Sequence, residues 1–238
     1  MAAKKNFSSG LSDFLVGAAG SSSDFQVVMW AASTLVKVAD SFKDQGETAE
    51  ASSLYKAAAG VLAQIGDKGI EVTAANKLDV IRNEGKALAG NNDYEAALKK
   101  FTQYLALRPS TLDVQIDAAL ALQQMGDKTG ETKPLVEAIM GGGSIKDPKT
   151  GKTKKVIWGW GKLSQAIANR PQFKKQFLIA RYNLAKTRLL YHKIKPSSRL
   201  MDLALKDIEV ARNKYSDLGG SRMKAQFDKL IEDIKAAR

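Results

Sequence analysis

Cysteine is absent from this sequence, and histidine occurs once, at position 192. The first absence excludes disulfides, thiolate nucleophiles and cysteine-ligated zinc, and it suits a reducing compartment. The second leaves no imidazole pair to hold a metal. No run of about eighteen uncharged apolar residues occurs, so no helical membrane span is expected. The N-terminal stretch "MAAKKNFSSGLSDFLVGAA" has two lysines before an apolar patch, but Asp13 and "NFSSG" interrupt it, which reads against a cleavable secretion signal. The expected location is therefore cytoplasmic, with no cofactor. What is present, 44% apolar and 26% charged residues over 238 positions, is an ordinary globular mixture, long enough for one large or two small domains.

One stretch suggests nucleotide chemistry. "DPKTGKTKKVIWGWG", residues 147–161, contains Gly151-Lys152-Thr153. A phosphate-binding loop needs G-x-x-x-x-G-K-[ST], so that consecutive backbone N–H groups wrap the phosphates. Five places before Gly151 stands Lys146, and "SIKDP" does not read as the buried strand from which such a loop springs. ATP is not an expected ligand.

The net charge of +12 is unevenly spread. Up to Met140 there are 14 Lys+Arg against 17 Asp+Glu, a net of −3; from Gly141 onward the counts are 23 against 8, a net of +15. Between Lys146 and Arg199 fifteen basic residues face one acid, Asp147. Such asymmetry points to an anionic partner or a neighbouring acidic surface. It also suits a segment of a longer protein.

Helical periodicity covers most of the rest, enough to expect roughly 65% helix or more. Residues 1–22 read as a flexible segment. Ser23 with Gln26 has the spacing of a capping box, opening a helix that stops at Gly46. Further helices fit 47–65, 73–89, 93–107, 111–126 and 134–140. After the "GGG" of 141–143 a basic Gly/Lys loop spans 141–160, where "SIK" and "KKVIW" flank a turn and suit a small hairpin around 144–158. Helices resume at 161–168, 172–193, 198–218 and 222–237; in the last, Met223, Phe227, Leu230, Ile231 and Ile234 form an apolar stripe.

Residues 78–110, "LDVIRNEGKALAGNNDYEAALKKFTQYLALRPS", resemble a tetratricopeptide repeat, whose helix pair follows W-x2-L-G-x2-Y, then A-x3-F and a closing proline. Ile81 takes the tryptophan place, Gly85 the glycine, Leu88 the tyrosine, and Ala97, Phe101 and Pro109 match the second half; Glu84 departs from the pattern's leucine. A second copy lies upstream, with Leu35, Val38, Ala39 and Phe42 on one helix and Ala51, Tyr55 and Ala58 on the next. A third begins at Leu112 and decays, and residues 172–238 fit a stretched fourth pair loosely. The resemblance implies an all-α solenoid of helical hairpins over 23–140, with a further helical region at 161–238. It also implies a concave groove for a peptide or partner protein. The family's carboxylate-gripping subgroup is not matched: only Asn83 corresponds, Val36 and Asp40 replace its first pair, and Asp113 and Asp117 reverse the charge. Asp79, Arg82, Asn83, Lys86, Asp113 and Asp117 instead form a mixed-charge groove or a solvated helix face.

Two functions remain, a non-catalytic protein-binding scaffold and a nucleic-acid or polyanion binder. The second would use Lys149, Lys152, Lys154 and Lys155 with Arg170, Lys174, Lys175, Arg181 and Arg188, as a surface for nucleic acid or an acidic protein. At least one of Trp158 and Trp160 is expected to seal the core. His192 reads as a residue at a helix C-terminus, and Phe177, Tyr182 and Tyr191 as packing. No nucleophile–base, metal-ligand or paired-carboxylate constellation stands at a recognisable spacing, which disfavours an enzyme.

Overall fold

The computed structural model describes residues 2–146 and 150–238, and shows an all-α chain with one small sheet. Helices make up 77% of it. Among the described residues no helix is long and apolar enough to cross a membrane. The chain divides into two units, residues up to Tyr104 and residues from Leu105 onward.

Unit 1 holds α1 (Ala2–Gly20), α2 (Phe25–Asp44), α3 (Thr48–Asp67), α4 (Lys77–Gly90) and most of α5 (Tyr94–Leu107). Three-residue turns join α2 to α3 and α4 to α5, so each pair folds back as a hairpin. Val28, Leu35 and Ala39 of α2 pack against Leu54, Tyr55 and Leu62 of α3, all buried. The α2 N-cap is Asp24, whose carboxylate accepts from the Gln26 N–H at 2.7 Å, rather than Ser23 of the expected capping box. A carboxylate at this position satisfies an orphan helical N–H and favours the positive helix end.

The N-terminal segment expected to be flexible is helix α1 instead. Leu11, Leu15 and Ala19, four residues apart, lay one face onto the α2–α3 core. Gly10, Gly17 and the polar 6–9 stretch conceal this period in the sequence. The end of α1 is closed from outside: the Lys68 ammonium, just past α3, donates to the carbonyls of Ala19, Gly20 and Ser22, each at 2.8 Å. All three of its N–H donors are used.

Between α4 and α5 the contact is tight. A Cβ placed on Gly85 would stand 2.6 Å from the Phe101 ring, so only glycine admits this aromatic. Glu84, the departure from the repeat pattern, pairs with Lys100 of α5 at 2.6 Å.

Unit 2 contains α6 (Leu112–Thr129), α7 (Thr132–Met140), the hairpin of β1 (Gly142–Lys146) and β2 (Thr153–Ile157), and α8 (Gly159–Ile167). A 3-10 turn (Pro171–Phe173) then leads into α9 (Lys174–Ile194), α10 (Ser198–Lys214) and α11 (Ser221–Ala236). Its C-terminal core joins Phe177, Leu178 and Leu189 of α9 to Met201, Ala204 and Ile208 of α10 and to Phe227, Leu230 and Ile234 of α11. Those last three are the buried members of the stripe expected on the final helix. The Tyr182 and Phe227 rings meet edge to face at 5.4 Å.

Candidate functional site

The expected hairpin is present. Its strands are antiparallel, with Ser144 opposite Lys155, Ile145 opposite Lys154 and Lys146 opposite Thr153. Burial changes along β2: Thr153, Lys154 and Lys155 are exposed, while Val156 and Ile157 are buried. The far end therefore carries Lys146, Lys152, Lys154 and Lys155 into solvent, and the near end is locked into unit 2. Lys149 lies outside the described residues. None of Lys152, Lys154 and Lys155 has an acidic partner among the described residues.

Two buried glutamines on α6 hold the near end. Gln115, with no exposed surface, donates through Nε2 to the carbonyls of Pro109 and Val156, both at 2.8 Å, and accepts the Trp158 N–H on Oε1 at 2.8 Å. Its amide thus stands in for a missing neighbouring strand at the end of β2. Eight residues on, Gln123 accepts the indole N–H of the fully buried Trp160 on Oε1 at 3.0 Å and donates to Asn183 Oδ1 at 3.2 Å. Thr187 Oγ1 lies 2.8 Å from the same Oε1 and 2.6 Å from the Asn183 carbonyl, which share its one proton. Trp160 is the tryptophan that seals the core; Trp158 is half-buried, with the Lys162 ammonium 5.0 Å from its ring centroid.

Glycine is required where the hairpin joins α7 and α8. Gly141 has φ +94° and Gly159 φ +68°, and the two backbones cross there: a Cβ on Gly159 would stand 2.9 Å from the Ile139 carbonyl oxygen. Neither the conformation nor the space admits a side chain. The Gly151-Lys152-Thr153 stretch leads into a strand rather than a helix, so it lacks the helix N-terminus on which a phosphate loop relies.

The other cations expected in the anion site divide. Arg170 and Lys175 are exposed. Lys174 is 2.8 Å from Asp217, and the hydrogen bond it donates is the largest cause holding the Asp217 carboxyl below its usual range. Arg181 and Arg188 stand apart from the rest of the expected set. They flank the nearly buried Asp207, with Arg181 Nη1 at 3.0 Å and Arg188 Nε at 2.8 Å from its two oxygens, so neither guanidinium is a free surface charge. Gln115, Gln123 and Asp207 are the positions the sequence reading missed. Their signal is phase: each falls among the apolar positions of its helix, beside Val114, Ala119 and Leu122 on α6 or Ala204, Ile208 and Ala211 on α10.

The expected mixed-charge groove is also redistributed. Asp79, Arg82, Asn83 and Lys86 lie on α4 in unit 1, and Asp113 and Asp117 on α6 in unit 2. Asp79 is exposed, and its backbone carbonyl accepts from Asn83 Nδ2 at 2.9 Å, a bond within one helix turn. Lys86 reaches Asp40 of α2 at 2.6 Å, and the Tyr55 hydroxyl of α3 donates to the same carboxylate. Asp40 thus ties three helices together and takes Lys86 out of the set of free groove cations.

No known protein family, curated protein or solved structure matches the chain.

Proposed function

We propose that this is a non-catalytic binding protein whose C-terminal unit docks a polyanion, such as a nucleic-acid backbone, through the lysine-bearing hairpin. One observation carries the reading: exposed lysines stand at the far end of a hairpin whose near end is fixed by the buried Gln115. Lysines on a held support contact phosphates without ordering the chain at the moment of binding. Few groups nearby can read base edges, so attraction is sequence-independent. Each phosphate neutralised adds about 0.7–0.9 to the slope of log affinity against log salt. Changing Lys152, Lys154 and Lys155 to glutamate abolishes low-salt binding to single- and double-stranded DNA in a gel-shift titration. An unchanged affinity and salt slope in that variant would place the anion site elsewhere.

A second reading, a tetratricopeptide-like scaffold that takes a partner protein on α4, rests on the Gly85–Phe101 contact. There a small residue faces a large one, at the places the repeat requires. Arg82 and Asn83 of α4 are the test positions. Replacing both with alanine weakens capture of native partners at high salt and shifts stability by less than about 1 kcal/mol. Unaltered capture removes this face from consideration.

A further inference from the structure

Unit 2 has a second feature, independent of the hairpin. A cleft of about 460 Å³ lies among α7, the end of α9 and the start of α10. Val136, Ile139, Met140, Pro196 and Leu200 give it apolar walls, and no aspartate or glutamate lines it. Its volume is that of a small-molecule site. Met140 is 71% exposed and Val136 38%, an unusual placement for large apolar side chains beside a concave surface.

The charged groups of the cleft have one sign. Arg188 and Lys195 line it. Arg188 is oriented by its Nε bond to Asp207, and its terminal nitrogens have no partner among the described residues. The single charge of Asp207 is divided between Arg181 and Arg188, which leaves this partly buried cluster one positive charge in excess. The wall formed by the 195–197 turn is fixed from behind. The Ser197 N–H donates to His192 Nδ1 at 2.9 Å, and His192 Nε2 lies 2.9 Å from the Ala237 carbonyl oxygen.

We propose that the cleft binds an amphiphilic monoanion, an aliphatic carboxylate, with the chain on the Val136–Met140 and Leu200 walls and the carboxylate on the terminal nitrogens of Arg188. One negative charge balances the excess of the Arg181–Asp207–Arg188 cluster. A planar carboxylate matches the guanidinium fork. A multiply charged phosphate would find only the exposed Lys195 beyond it.

The test is calorimetric titration of the full chain with decanoate below its micelle concentration, beside decanol and decyltrimethylammonium. Decanoate saturates at one per chain, decanol binds about ten- to a hundred-fold more weakly for want of charge-assisted hydrogen bonds, and the cation does not bind. Met140→Glu, at an exposed position, sets a like charge at the mouth and weakens decanoate at least about ten-fold while the melting temperature stays near that of the parent. Val136→Glu repeats this test should the first variant fold poorly. Glutamates at Lys152, Lys154 and Lys155 leave decanoate binding unchanged, so this site and the hairpin stand or fall separately. Equal affinity for decanoate and decanol, binding of several decanoates per chain, full affinity in both mouth variants, or no binding would each overturn the proposal.

Discussion

A single amide oxygen, Gln123 Oε1, serves the indole N–H of Trp160 and the hydroxyl of Thr187 inside unit 2. Interior donors of this kind were satisfied by water in the unfolded chain, so they must be satisfied again once buried. Truncating Gln123 to alanine strands the indole N–H and removes the bond to Asn183. The expected loss is about 1–3 kcal/mol, read as a lower urea midpoint at unchanged m-value. Replacing Trp160 with phenylalanine in the same background restores part of it, because the stranded donor is then gone. A variant as stable as the parent would mean that water replaces the glutamine. Asp207 follows the same logic with charge: two guanidiniums depend on one carboxylate, and removing it leaves both uncompensated.

Among the elements, α1 shows most clearly what one side chain can add to a helix. A helix ends with unpaired carbonyls and a partial negative charge, and the Lys68 ammonium meets both at once. Lys68→Met keeps the aliphatic stem and removes the donors. We expect faster amide exchange through α1, equivalent to about 1–2 kcal/mol of local opening, with α2 and α3 still protected. Uniform loss of protection across these helices would show instead that α1 opens only with the rest of unit 1.

Most elements were legible in the sequence because their apolar residues recur with helical period between clear stops, as from Thr48 to Asp67 or from Ser198 to Lys214. The hairpin was legible from its turn residues and from "KKVIW". Helix α1 was not, because glycines at 10 and 17 and the "NFSS" stretch break the pattern while tertiary contacts and a distant lysine supply what propensity lacks. The candidate site was legible only in its exposed half. Lys152, Lys154 and Lys155 announce themselves by composition, whereas Arg181 and Arg188 differ from the other basic residues only through Asp207, an acid nineteen or more positions away. Pairing at such a separation is set by how α9 meets α10, and no local pattern encodes it.

Over the whole molecule the distribution of charge matters more than its total. Residues 1–104 carry 11 Lys+Arg against 12 Asp+Glu, a net of −1, and residues 105–238 carry 26 against 13, a net of +13. Like charges at this density repel one another in the folded state, and salt screens them over about 10 Å at 0.1 M. Raising salt from about 0.01 to 0.2 M should therefore raise the melting temperature of the intact chain. The gain should shrink in the variant with glutamate at Lys152, Lys154 and Lys155, which lowers the net charge by six. A melting temperature indifferent to salt would mean that the cations are already balanced by the acids beside them.

The glutamine clasp at the near end of the hairpin also bears on how this region tolerates change. Gln115 grips β2 by the carbonyl of Val156 and the N–H of Trp158, main-chain groups that are the same whatever side chains stand farther out. Sequence between Lys146 and Lys152 can then lengthen, shorten or drift without disturbing its own attachment. That makes the far end a place where evolution can exchange one recognition surface for another, and where a fluorophore or affinity tag can be spliced in with the scaffold left intact.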